Sequence, residues 1–409
     1  MFLVSRGRWL TGWALLSIVA SCGGGEAAAP AWFTERDSAG ITIVENAADT
    51  AALGAGWSLE PEPLLTIGGL DADESQQVFQ VAGGLRLPDG RIAIANGGTS
   101  DIRIFAPAGT LAATHGRKGE GPGEFSSVQL AGSTGEDSLI VFDPDLRRVS
   151  IIDADTGYVR SYLIGSGGGG FPLSRGALAG GSLLLGGGMR FSSDEGFPSG
   201  LVRPPSRYMV VGPDGETVGD LGELPAAEMF ARVTATSFTA SGVPFGKVTA
   251  VAAASGHVWV GTGETWELRA HAPDAHLERI VRFDRTLRPV TPALMEAFIE
   301  ERAEEADDEN LARSVRASLA EMPAPADVPP YQLFETDALD CLWIGEYLLP
   351  GEDTRAWTIL DPDGRVTGRL FLPPRTRPLD IGPDWLLGVT TDKLDVERLT
   401  LWRLRRPAR

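Results

Sequence analysis

Cysteine, histidine and asparagine are scarce in this 409-residue chain, with two, four and three copies. Two cysteines are too few for a disulfide-stapled fold. The histidines, His115, His257, His271 and His276, are spread over different strands and turns and do not converge on one zinc site. Long apolar runs are missing too. The longest, Trp9–Ala20, falls short of the roughly 20 residues that span a bilayer comfortably. Positive charge is in deficit: 36 Lys and Arg against 55 Asp and Glu give a net charge of −19. That balance opposes nucleic acid and anionic headgroups as partners. No Walker loop and no G-x-S-x-G elbow occur. Gly165–Gly170 matches G-x-G-x-x-G formally, but Phe171-Pro172 follows where a dinucleotide site needs a helix.

What the chain does have is glycine, 51 copies, and much of it falls in a recurring pattern. Six segments begin with turn-forming residues and run into a short apolar strand. They start at Asp89-Gly90, Glu136-Asp137, Gly180-Gly181, Ser255-Gly256, Leu339-Asp340 and Pro383-Asp384. Spacings of 47, 44, 75, 84 and 44 residues separate them. Turn-then-strand repeats of this period are the mark of a β-propeller, one copy per blade. Five copies are followed by a second tight turn: Pro107-Ala108-Gly109, Asp155-Thr156-Gly157, Pro213-Asp214-Gly215, Pro273-Asp274-Ala275 and Pro362-Asp363-Gly364. The expected fold is all-β, a six-bladed propeller over 41–409. The sixth copy runs out after Glu397–Arg405, and an orphan strand at Leu64–Ile67 is expected to pair with it and close the ring.

The N-terminus reads as an address. Arg6 and Arg8 precede the apolar run, which ends at Val19-Ala20-Ser21-Cys22, so residues 1–21 form a secretory leader. Small residues before a cysteine resemble the bacterial lipobox, which makes Cys22 the lipidation site and 22–40 a flexible tether. The competing reading is an ordinary leader with an incidental cysteine. With Cys22 acylated, Cys341 has no partner, and it reads as a small, half-buried structural thiol.

Long excursions fall on the propeller face that carries the links between second and third strands and between blades. They are Gly116–Phe125, about Gly186–Ser206, Glu223–Gly246 and a helical insertion at 284–330 between blades four and five. In the insertion, Thr291-Pro292 is a helix start. Leu294, Met295, Phe298 and Ile299, then Leu311, Val315 and Leu319, keep helical spacing around an acidic run. Binding candidates on this face are Arg117, Lys118, Glu124, Arg190, Trp266, Glu300 and Glu304. No catalytic residue and no metal ligand stands out.

Gly116-Arg117-Lys118-Gly119-Glu120-Gly121-Pro122-Gly123-Glu124-Phe125, with Leu87-Pro88-Asp89-Gly90 and Ile102–Phe105 upstream, resembles the bacterial six-bladed propeller proteins related to NHL repeats. Many of these resemble lipoproteins in the same way. The resemblance covers about Trp57 to Arg406 and implies fold and cell-envelope location, at the outer membrane or facing the periplasm, but no catalytic residue. The expected role is a monomeric binding or scaffolding module for a protein or envelope polymer, touching the membrane only through its lipid, with no cofactor. The alternative is a metal-dependent hydrolase of lactonase type, with calcium at the channel mouth. Such a site resembles a set of carboxylate and Asn oxygens, and none of Asn46, Asn96 and Asn310 falls on an inner strand.

Overall fold

The computed structural model describes residues 32–47, 56–165, 172–189, 198–234 and 237–407, and Trp32–Arg409 is one compact unit. Cys22, the leader and Arg190 lie outside the described residues.

Each recurring segment is the second strand of an antiparallel meander. The first sheet runs Val81–Arg86, Ile92–Asn96, Asp101–Phe105, Leu111–His115, and the second from Gln129–Ser133 to Gly157–Leu163. The third runs from Leu173–Ala177 to Thr217–Pro225, and the fourth from Ala250–Ala253 to Leu277–Phe283. The fifth runs from Tyr331–Thr336 to Val366–Phe371. The last is built from Thr376–Ile381, Trp385–Thr391 and Glu397–Arg405, with Leu65–Gly68 and the short Ser58–Leu59 added from the N-terminal side.

The second strands are apolar on both faces because each sheet is packed between two neighbours. All of Ile92–Asn96 and all of Val258–Gly261 are buried, whereas the outer strand Leu111–His115 alternates. Neighbouring sheets share a core at every junction. Ala93 and Ile104 meet Leu139 and Val141; Ile140 and Phe142 meet Leu183 and Leu185; Leu184 and Val210 meet Val258 and Val260. Trp259 and Leu268 meet Tyr331 and Ile344, and Trp343 and Trp357 meet Leu386 and Trp402. Leu387 and Leu399 then meet Ile92 and Phe105, which brings the last sheet back to the first. A ring of radially packed four-stranded meanders, closed by a strand from the other end of the chain, is a β-propeller.

The tether expected over 22–40 is corrected from residue 33 on, while 22–31 lies outside the described residues. Phe33–Ser38 is a strand, paired with Ile41–Asn46 through a two-residue turn in which Ala39 and Gly40 both have positive φ. Ile41–Asn46 then runs parallel to Leu277–Phe283, so the fourth sheet has six strands. Burial explains the pairing: Val44 is fully covered, and Asn46 bonds both Gly364 O and Val366 N at 3.0 Å in the next sheet. The turn at Pro273-Asp274-Ala275 differs from its equivalents. Ala275 holds φ 72° where the others have Gly, a left-handed conformation that a Cβ disfavours.

Two helices stand between the fourth and fifth sheets: α1 (Pro292–Glu304) and α2 (Glu309–Ala320). Thr291 caps α1 by accepting from Leu294 N at 3.2 Å, and Asp308 caps α2 through the Asn310 and Leu311 amides. A small sheet of Gly200–Val202, Met229–Val233 and Phe238–Gly242, formed by the excursions around the third sheet, was not foreseen.

Candidate functional site

The first strand of every sheet lines a central channel of about 880 Å³. These strands are rich in Gly, Ala and Ser, which lets them approach closely: a Cβ on Gly83 would stand 2.4 Å from Leu130 O. Little side-chain bulk therefore fills the axis, and the few large polar residues there are conspicuous.

Arg86 comes from the first sheet, Arg175 from the third, Glu335 from the fifth, and Arg377 and Asp380 from the last. Burial pushes the Glu335 carboxyl up to about 7, against the pull of Arg377 and Arg175. Asp380 is pushed up to about 6 by burial, against hydrogen bonds from the Arg86 and Ile381 amides. The Arg86 amide donates to Asp380 Oδ2 at 2.8 Å, and the Arg86 guanidinium lies 5.2 Å from the Trp385 ring centre. Arg377 donates to Val81 O at 2.6 Å. Arg175 is exposed in the channel, its guanidinium lies beside Gly187, and its side chain makes no hydrogen bond or ion pair within the described residues.

Two further carboxylates at the end of the fifth sheet's inner strand are already engaged. Asp337 has no exposed side-chain surface and is held by Arg406 at 2.8 Å, Trp343 Nε1 at 2.9 Å and the amides of Leu339 and Cys341. Asp340 accepts from the Ser255 amide at 2.8 Å and from its hydroxyl. Burial pushes the Cys341 thiol up to about 12, which leaves it an unreactive core group.

The long-loop face is built from the helices and the small sheet. Phe298 of α1 lies 5.1 Å from Phe245, which lies 5.7 Å from Tyr347 beyond the fifth sheet's second strand. Arg232 of the small sheet pairs with Glu321 at 2.9 Å, just after α2, and Glu301 accepts from Gly351 N at 2.8 Å. The pair is thus pinned on both flanks. Leu311, one of the apolar residues at helical spacing, does not pack inward: it is 47 % exposed.

The residues read from the sequence do not form one cluster. Arg117 pairs with Glu124 at 2.7 Å, Glu124 also accepts from Gly121 N at 2.9 Å, and Lys118 bridges to Phe125 through its backbone, so all three brace their loop. Trp266 packs 5.3 Å from Phe283, with Arg285 stacked 5.0 Å from its ring, and borders a cavity of about 400 Å³. Glu300 pairs with Arg316 at 3.0 Å, while Glu304 is exposed on α1. The channel residues were missed. Their signal was present: Arg86 and Asp380 stand four places before Gly90 and Asp384, where the other copies carry Ser133, Ala177, Ala252 and Thr336, and Glu335 stands five before Asp340, where the other copies carry only Leu, Gly or Val.

These donors do not suit calcium. Among the described residues, no three His, Cys, Asp or Glu side chains gather as ligands, and the channel carboxylates face arginines. Asn96 is engaged by Phe79 N and Thr99, as Asn46 is by the fifth sheet.

No protein-family model matches the sequence, and no curated protein matches it. Solved structures with a similar course of chain include a member of the DUF4221 family from Bacteroides vulgatus, at 12 % identity and TM-score 0.47, covering 86 % of this chain and 99 % of that one. Another is the calcium-binding protein regucalcin from Agrobacterium tumefaciens, at 13 % and 0.41, covering 87 % and 96 %. An inactive variant of virginiamycin B lyase from Staphylococcus aureus matches at 10 % and 0.39, covering 85 % and 98 %.

Proposed function

We propose that this chain is a six-bladed propeller, anchored outside the cytoplasm by a lipid on Cys22, whose long-loop face binds a protein or envelope polymer. The observation that carries the reading is the pinned helix pair between blades four and five. It adds little to the core, since only Ala303 and Ala312 of its helical residues are buried. Yet it is fixed at both flanks and holds Glu296, Glu300, Glu304, Asp307 and Glu309 outward. A rigid acidic ridge on a scaffold is a recognition element for a partner that presents positive charge. Leader and lipobox-like cysteine support the address.

The test is retention of native envelope components by immobilised protein. A Gly/Ser linker in place of residues 291–322 is expected to abolish salt-sensitive retention while melting stays cooperative. Loop length itself costs only about 0.6 kcal/mol per doubling. Equal retention by both proteins moves the contact off the helices. Stoichiometric calcium in the purified protein, with a chelation-sensitive esterase or lactonase activity, would replace the binding reading with the hydrolase one.

A further inference from the structure

The channel is a second, independent candidate. Its wall combines a cavity of about 880 Å³, within the usual range for small-molecule sites, with charged side chains that meet from separate sheets. The third and last sheets stand opposite each other in the ring order, so Arg175 and Arg377 approach from opposite sides. Glu335 is close enough to both to feel their charge. Among the described residues, no charged side chain from the second or fourth sheet lines the channel. Asp337 is consumed by Arg406, and Asp340 is bonded by Ser255 at the rim. The inner strands themselves thus carry three guanidiniums, Arg86, Arg175 and Arg377, and two carboxyls, Glu335 and Asp380.

We propose that this channel binds a small hydrophilic carboxylate, with its oxygens on the Arg175 and Arg377 guanidiniums and Glu335 beside it. Asp340 keeps its charge at the rim, so the three guanidiniums are balanced by three carboxylates when all are ionised, and the match to a carboxylate rests on the geometry of Arg175 and Arg377 rather than on a charge surplus. A planar guanidinium fork matches the two oxygens of a carboxylate. A phosphate dianion would bring a second negative charge against Glu335 and Asp380. Arg175 supplies an uncommitted donor set, and the Nε of Arg86, buried in the same wall, has no partner among the described residues. A small, polar lining favours a ligand with hydroxyls over an apolar one. Protonation of Glu335 removes a competing negative charge, so affinity rises as pH falls through its titration, with Asp380 acting in the same direction.

Isothermal titration of the purified full chain tests this without any envelope partner, so its outcome is separate from that of the loop-face reading. Galacturonate and galactose are the matched probes, with acetate and inorganic phosphate as further anions. Galacturonate is expected to bind saturably, and galactose at least about tenfold more weakly, the equivalent of about 1.4 kcal/mol. Arg175→Ala is expected to weaken galacturonate by about tenfold or more. Arg175→Lys, which keeps the charge and loses the fork, should lie between. Wild-type affinity should fall several-fold from about pH 5.5 to about pH 8, and the fall should shrink in Glu335→Gln. The proposal is overturned by equal binding of galactose, by phosphate binding tighter than galacturonate, or by galacturonate binding indifferent to Arg175→Ala and Arg175→Lys. It is equally overturned if neither galacturonate nor acetate binds saturably up to about 0.1 M, roughly the weakest affinity that counts as a site.

Discussion

Glu335 offers the cleanest reading of a single residue. Its carboxyl titrates at about 7 in the folded chain against an ordinary value of 4.5. Between those values the folded state holds more proton than the unfolded state, so stability falls as pH rises through that window. Glu335→Gln removes the titration. Its melting temperature should equal that of the wild type near pH 4 and exceed it progressively towards about pH 8. A difference that does not change with pH would mean that the carboxyl ionises freely in the channel. Asp337 shows the opposite arrangement, a fully buried carboxylate satisfied by Arg406, Trp343 and two amides. Neither environment can be read from a residue's neighbours in sequence. Glu335 alternates along its strand like many surface acids, and Arg406 reaches Asp337 across 69 positions. Only the closing of the ring distinguishes channel from surface.

At the scale of elements, periodicity and turn chemistry carried the reading furthest. Gly90, Gly109, Gly157, Gly215 and Gly364, all assigned to tight turns, hold positive φ. The helix start at Thr291-Pro292 is where α1 begins. The hairpin Phe33–Asn46 was hidden because its first strand is almost wholly exposed and looks like a polar tether. Its second strand pairs in parallel with a segment more than 200 residues away, a partnership that no local pattern announces. The two strands also differ in weight, which a pair of truncations should resolve. Starting the chain at Ile41 removes an exposed edge strand and should lower stability by about 1 kcal/mol or less. Starting it at Ala47 also removes buried Val44 and the Asn46 bridge to the fifth sheet, and should cost about 3 kcal/mol or more. Chemical denaturation of the two truncated proteins checks the contrast. Equal losses would show that the second strand is not part of the fourth sheet's core.

The whole molecule depends on the pairing of its two ends, where Ser58–Leu59 and Leu65–Gly68 both lie against Glu397–Arg405. Leu65–Gly68 is the outermost strand of the last sheet, registered with Leu401–Arg398. Ile67, 2 % exposed, sits in the core shared by the last and first sheets. Glu397 ties the same junction by accepting from Val81 N at 3.0 Å. Removing residues through Gly69 would strip Glu397–Arg405 of both outer partners, expose its backbone edge, and take the Ile41–Asn46 strand from the fourth sheet as well, so its loss is to be compared with that of the chain starting at Ala47. The loss of Ile67 from the core costs about 1.5–3 kcal/mol. Each forfeited backbone hydrogen bond adds about 0.5–1.5 kcal/mol. Set against the 5–15 kcal/mol, roughly, that holds a typical domain together, that sum removes most of the margin. Because each sheet leans on two neighbours, the damage should not stay local. The expected result is loss of the single cooperative transition and association through the bare edge, seen by calorimetry and light scattering. Added synthetic peptide spanning residues 57–69 should restore part of the melting temperature by refilling the edge. A truncated protein that melts cooperatively at the wild-type temperature would show that the inter-sheet cores alone close the ring.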